Sequence, residues 1–242
     1  MTMRAHADDL ARRPWPTVPR RPMILVPVGS FEQHGPHLPL DTDTRIADAV
    51  AHGAARRLKV LRPQDSVLVT PPLTFTASGE HQSFPGTISI GHEALRFMLV
   101  ELVRSLSLWS GRVVFVNGHG GNVGCLQRVV AEMTEEGRDV VWVPCEPPGG
   151  DAHAGRTETS LLLHLAPDYV DMAAAVRGNT TPIRELMPAL RANGVRGVSP
   201  TGVLGDPTGA TAQAGAQLLD ALVADVARRI EATPPHTERA TQ

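Results

Sequence analysis

The sequence predicts a three-layer α/β/α fold built on a mostly parallel central sheet. Apolar runs of strand length alternate with amphipathic stretches of helix length, the pattern of successive βαβ units. The strand-like runs, such as Met23-Ile-Leu-Val-Pro-Val28 and Val113-Val-Phe-Val116, are apolar on consecutive residues, as strands covered on both faces must be. The chain has 242 residues, 42% of them hydrophobic and only 4% aromatic. It can therefore bury one large core, filled by Val, Leu, Ile and Ala.

In chain order, residues 1–22 carry Pro14, Pro16, Pro19 and Pro22 among arginines and are expected to form a loose arm. A single domain is expected over 23–232. Its first strand is Met23 to Val28, followed by a Gly/Pro-rich loop to Thr42 and a helix from about Thr44 to Leu58. Ser66 to Thr70 reads as the next strand, ended by Pro71-Pro72. Leu73 to Gly91 has no helical period and is expected as an extended loop. A helix over Glu93 to Trp109, a strand over Arg112 to Asn117, a helix over Val123 to Glu136 and a strand over Val140 to Pro144 follow. Glu158 to Leu165 is expected as a helix, Arg177 to Gly209 as mostly irregular, and Ala212 to Ile230 as the closing helix. Residues 233–242, with Pro234 and Pro235, are expected to fray.

Composition excludes several classes. Lys plus Arg number 23 and Asp plus Glu 25, a net charge of −2, so no electrostatic footprint for nucleic acid or an anionic membrane is present. Few aromatics leave no stacking platform for single strands. Cys125 and Cys145 lack paired spacing and read as small buried hydrophobes in a reducing compartment. Met1 to Arg21 has no apolar signal-peptide core, and no run reaches 18 apolar residues. A soluble, cytoplasmic protein is expected.

Polar chemistry gathers where strands end. Glu32-Gln33-His34-Gly35 follows the first strand, His119 follows Arg112 to Asn117, and Asp151-Ala-His153 with Glu158 follows Val140 to Pro144. In a parallel sheet these loops all leave from the carboxyl edge, where open α/β folds bind ligands. Glu32, His34, Asp43, His119 and Glu158 can thus converge. Imidazole with carboxylate suits Zn(II), Fe(II) or Mn(II), and thiolate ligation is absent. Several carboxylates would neutralise a pair of divalent ions, with Asp43 the candidate bridge. Glycines at 35, 118, 120 and 121 allow tight backbone beside the ions.

Blander readings stand beside this one. A lone Glu-x-His in a loop is uninformative, and Gly118-His-Gly-Gly could cradle phosphate at a helix start, although it lacks the Gly-Lys-Ser/Thr of a P-loop. His153 and Glu158 could be a helix start with its favourable acid. His52, His92 and His164 lie in helical stretches, and no serine sits in a Gly-x-Ser-x-Gly elbow.

The segments Pro27-Val-Gly-Ser-Phe-Glu-Gln-His-Gly-Pro-His-Leu-Pro-Leu-Asp-Thr-Asp43, Glu80-His81 with Phe84-Pro-Gly-Thr87, Asn117-Gly-His-Gly-Gly-Asn122 and His153-Ala-Gly-Arg-Thr-Glu-Thr-Ser160 resemble the creatininase (creatinine amidohydrolase) family. That resemblance implies an α/β/α fold, two divalent metal ions (Zn2+, Fe2+ or Mn2+), higher homo-oligomers such as hexamers, and hydrolysis of non-standard amide bonds. It also implies Glu32, His34, Asp43 and His119 as metal ligands. Creatininase itself carries a metal-binding carboxylate where this chain has Gly121, so Glu158 is assigned as that ligand, with a catalytic part as well. His153 matches the histidine that passes a proton to the leaving nitrogen.

Ala77 to Ile90, Val116 to Gly124 and Thr201-Gly-Val-Leu-Gly-Asp-Pro207 resemble the subgroup of that family acting in mycofactocin maturation. The implied substrate is a short, radical-enzyme-modified precursor peptide, cut near its C-terminus to release a Val-Tyr-derived unit. Glu80, His81 and Arg156 are the candidates for orienting it. A small-molecule amidohydrolase acting on creatinine or a formamide, a silent metal-binding scaffold and a nucleotide-binding module are the alternatives.

Overall fold

The computed structural model describes residues 8–147 and 149–234. Strands β1 (Met23–Val28), β2 (Val67–Val69), β3 (Arg112–Asn117) and β4 (Val140–Pro144) form one sheet in the order β2-β1-β3-β4. All three pairings are parallel. Register puts Val28 opposite Asn117 and Asn117 opposite Pro144, so three strands end level.

The helices are α1 (Thr42–Leu61), α2 (Gly91–Leu106), α3 (Val123–Glu135), α4 (Arg156–Leu165), α5 (Ile183–Val198) and α6 (Ala212–Ala232). Successive strand residues feed opposite faces of the sheet. Leu25, Val114, Val116 and Val143 pack with Val50, Ala54 and Leu58 of α1, Leu161 and Leu162 of α4, and Leu222 and Val226 of α6. Ile24, Val26, Val28, Val113 and Phe115 pack with Leu95 and Leu99 of α2 and Leu126, Val129 and Met133 of α3. These two apolar layers make the α/β/α sandwich. The helix after β1 lies on one face and the helix after β3 on the other, so the chain winds outward in both directions from the β1/β3 pair. A crevice at the carboxyl ends of that pair is where such sheets take ligands.

Two expectations change. Residues 177–209 are not mostly irregular, because α5 occupies the middle of them. Pro188 and Gly194 hide it from a sequence reading. Gly194 has φ 66° and joins two helical pieces across a kink, and only Leu186 and Val195 of α5 are buried, too few for a clear period. The arm expected to be loose is held from residue 8 onward. Asp8 is buried, pairs with Lys59, and its carbonyl accepts from Val69 N at 2.9 Å, while Leu10 and Val18 pack on the α2/α3 layer. Residues 1–7 of that arm, and 235–242 of the tail expected to fray, lie outside the described residues. Thr233 and Pro234 offer their carbonyls to Arg112 at 2.8 and 2.7 Å. No helix among the described residues is long and apolar enough to cross a membrane.

Candidate metal centre

The loop after β1 is folded back on the sheet edge. Glu32 N donates to Leu40 O at 2.9 Å, Gly118 N donates to Val28 O at 2.8 Å, and Thr44 Oγ1 donates to Ser30 O at 2.9 Å. Of the four glycines noted around the centre, Gly35 alone takes positive φ. Asp43, expected just before the helix, stands in the first turn of α1. Glu158, expected to begin its helix, is the third residue of α4. Both carboxylates therefore sit at the positive end of a helix dipole, which favours their charge. Asp151 accepts from Arg156 N and, at 2.9 Å, from Thr157 N, capping α4 from outside. Ala154, a non-glycine at φ 51°, turns the chain so that its N–H reaches Glu158 Oε2 at 2.5 Å.

Asp43 lies between two imidazoles. Its Oδ1 is 2.9 Å from His34 Nε2, its Oδ2 is 3.2 Å from His119 Nδ1, and Ser30 Oγ donates to Oδ2 at 2.9 Å. Each imidazole is anchored at its other nitrogen by a main-chain carbonyl. His34 Nδ1 donates to Glu32 O at 3.1 Å, and His119 Nε2 donates to Ala77 O at 3.1 Å. Such outer hydrogen bonds fix which nitrogen faces a metal. His34 Nε2 also lies 3.9 Å from Glu158 Oε2. Glu32 Oε1 is 3.3 Å from His119 Nδ1, 3.3 Å from His81 Nε2 and 3.8 Å from His153 Nδ1.

Gln33 wires the remaining histidines. Gly35 N donates to Gln33 Oε1 at 2.9 Å, which orients the amide. Its Nε2 then faces His81 Nδ1 at 2.8 Å, His153 Nε2 at 3.0 Å and Gly202 O at 3.3 Å. Gln33 O lies 2.8 Å from His153 Nε2. The ring of His153 packs 4.3 Å from that of His34 and 4.4 Å from that of His81, centroid to centroid. Gly202, at φ 80°, lets Gln33 in: a Cβ there would lie 1.9 Å from Gln33 Oε1.

The field in this cluster is strong. Burial pushes Glu32 up to about 7, partly offset by His119. Burial likewise pushes Glu158 up to about 7, with His34 opposing. Burial would lower His34, but the Asp43 carboxylate outweighs it and raises the imidazole to about 10. For Asp43, burial raises and the two imidazoles more than compensate, leaving it well below the usual carboxylate range. Burial, then the neighbouring imidazoles, hold His81 and His153 well below the usual histidine value, so both are neutral at pH 7.

The donor set fits divalent ions. Both oxygens of Glu32 are buried, yet neither has a hydrogen-bond donor, a costly arrangement unless a cation completes it. Glu32, Asp43 and His119 place ligand atoms within 4.8 Å of one another, as do His34, His153 and Glu158, and also Glu32, His81 and His153. Asp43 turns Oδ1 to His34 and Oδ2 to His119, so its carboxylate links those two imidazoles, while Glu32 and His153 each belong to two of the three donor sets. Glu32, His34, Asp43, His119, His153 and Glu158 are thus brought together. Of the residues named for substrate, His81 is buried in the cluster and Glu80 touches His119 at 3.4 Å, whereas Arg156 is exposed at the start of α4. Sequence reasoning missed the parts of Gln33, Ala154 and Gly202. The signal for Gly202 was its place in the Thr201-Gly-Val motif, and nothing local marked Ala154.

The family model described as creatininase, creatinine amidohydrolase, matches residues 11–230. The chain belongs to the creatininase family. It is 56% identical over 214 residues to the mycofactocin precursor peptide peptidase of Mycolicibacterium smegmatis, covering 88% of this chain and 86% of that one. The same-named protein of Mycobacterium tuberculosis is 54% identical over 220 residues, with 90% and 88% covered. Among solved structures, a creatininase variant of Zn-Zn type superimposes with a TM-score of 0.68 at 27% identity, covering 87% of this chain and 90% of that one. One named Creatininase Mn gives 0.73 at 25%, with 93% and 97% covered. Divalent metals are thus carried within the creatininase family, on the fold seen here.

Proposed function

We propose that this chain is a divalent-metal-dependent peptidase that cuts a modified mycofactocin precursor peptide near its C-terminus and releases the Val-Tyr-derived unit. The observation that carries the metal chemistry is the buried, overlapping donor sets, in which Asp43 reaches both His34 and His119 and neither oxygen of Glu32 has a hydrogen-bond partner. The substrate reading rests on the relatives, which are 54–56% identical.

In this reading Glu32, Asp43 and His119 would hold one ion, and His34, Asp43 and Glu158 the other. When bound, such a pair supplies an activated water and Lewis acidity at an amide carbonyl. Zn(II) and Fe(II) suit the imidazole–carboxylate set, and Mn(II) is also compatible. The protein itself does the rest. Asp43 draws the two halves together, and the carbonyls of Glu32 and Ala77 hold the two imidazoles in one ring orientation. His153 starts neutral, accepts at Nδ1, the nitrogen not bonded to Gln33, the proton given up by the attacking water, and passes it to the departing amine. A neutral base that becomes the acid serves both proton transfers of amide hydrolysis.

The protein works in the cytoplasm as a homo-oligomer, a hexamer or larger. Light scattering would measure the assembly. The deciding test is incubation of the metal-loaded protein with the modified peptide, read by mass spectrometry, beside creatinine. Release of the C-terminal unit is expected. An intact peptide together with opened creatinine would move the chain to small-molecule amidohydrolysis.

A further inference from the structure

Gly121 is a gap with something in it. A Cβ at this position would lie 2.4 Å from Glu80 Oε1, 2.4 Å from His119 Nε2 and 2.7 Å from Ala77 O. The space above it holds a carboxylate from another loop, that of Glu80, against the far side of His119 at 3.4 Å.

We propose that Glu80 is a positioning residue for His119, holding its imidazole from outside with Nδ1 turned to Glu32 and Asp43, rather than a contact for substrate. This inference rests on the metal-hydrolase reading above. Nε2 of His119 meets two outer acceptors, the carbonyl of Ala77 at 3.1 Å and the carboxylate of Glu80 at 3.4 Å, which together hold a proton on that nitrogen. Nδ1, 3.3 Å from Glu32 Oε1 and 3.2 Å from Asp43 Oδ2, is the nitrogen turned inward, free to give up its own proton while Nε2 keeps one. A carboxylate behind a ligating imidazole also makes that imidazole a stronger donor.

Glu80 is itself held from behind. It lies in a 3-10 turn over Gly79–His81, and α5 closes on that turn. Gly194, at φ 66°, brings its backbone so near that a Cβ would sit 2.9 Å from Glu80 O. Arg196 stacks over the Phe84 ring at 4.3 Å, tying the same helix to the same loop. The kinked helix that the sequence concealed is thus a clamp on the outer partner of a ligand.

The test is titration of the metal-free protein with Zn2+ and Co2+ against a chromophoric chelator, for wild type, Glu80→Ala and Glu80→Gln. Two ions per chain are expected in wild type. Glu80→Ala should weaken one of them by about 10–100-fold and leave the other unchanged, with Glu80→Gln between the two because its amide oxygen still accepts. Thermal melting of the metal-free variants should match wild type. Wild-type uptake of both ions by Glu80→Ala, with a raised KM for the modified peptide, would return Glu80 to substrate binding and overturn the proposal. Equal weakening of both ions with a lowered melting temperature would make its role merely structural. A wild-type chain that takes up no ion sinks the metal-hydrolase reading itself.

Discussion

The two halves of the donor cluster are built on different supports. Glu32, Asp43 and His119 are sealed, with side-chain exposures of 0, 2 and 5%. They hang from loops leaving β1 and β3, neighbouring strands bonded along their whole length, and from the first turn of α1. The half containing His34, His153 and Glu158 is open at one member only, His34 and His153 being buried. Glu158 keeps 19% of its side chain exposed, and its place depends on α4, on the turn at Ala154 and on the bridge between His153 and Leu204. A ligand set carried by the β1 and β3 loops and α1 should hold an ion tightly, and one that adds to His34 of the β1 loop the partly exposed Glu158 of α4 should exchange it more readily.

The harshest test of that contrast is Asp43→Ala. As the carboxylate that reaches both His119 and His34, its loss should abolish uptake of both ions and reduce peptide cleavage to background, measured by metal analysis and mass spectrometry. Retention of either ion would show that the halves are independent. Glu158→Ala should be narrower, removing the ion of the open half alone, so that bound metal falls from two ions per chain to one and turnover is largely lost. Next comes His153→Ala, expected to leave both ions in place and to lower kcat by about 10²–10⁴, the usual worth of a general acid or base. Loss of an ion in this variant would make His153 a ligand, consistent with its place among the donors, and unchanged kcat would remove it from the mechanism.

The smallest effect concerns pH in the metal-free protein. Above pH 6.5 the shifted groups of the cluster act in one direction. Glu32 and Glu158 titrate near 7 when folded but near 4.5 when unfolded, so the folded state binds more protons and loses stability as pH rises through 7. His34, raised to about 10, contributes stability below pH 6.5 that is lost as pH rises through 10. Below 6.5 the depressed histidines His81 and His153 oppose the carboxylates. The melting temperature of the metal-free chain should therefore fall by a few degrees between pH 6.5 and 9. Supplying Zn2+ should reverse the trend, since deprotonated ligands bind metal better as pH rises. A flat profile without metal would mean that the cluster relaxes when empty of charge-balancing ions.

Much of the fold and of the candidate site is legible in the sequence. Unbroken apolar runs mark the strands, because a parallel strand covered on both faces has no polar side to show. The strand ends locate the polar loops, and those loops carry the candidate ligands. α5 is hidden because its burial is slight and its Pro188 and Gly194 imitate a loop. The parts of Gln33, Ala154 and Gly202 are hidden because each depends on a partner outside its own motif: Gln33 Nε2 meets residues 81, 153 and 202.

By itself the sequence determined the layer architecture and the inventory of candidate ligands, since both follow from local pattern and residue type. Tertiary structure alone decided how the inventory is shared out. It turned one oxygen of Asp43 to each imidazole, left Glu32 without a hydrogen-bond donor, and placed Glu80 in the space over Gly121. Those outcomes depend on distances between loops that meet only at the carboxyl edge of the sheet, and contacts between such loops leave no period in the chain.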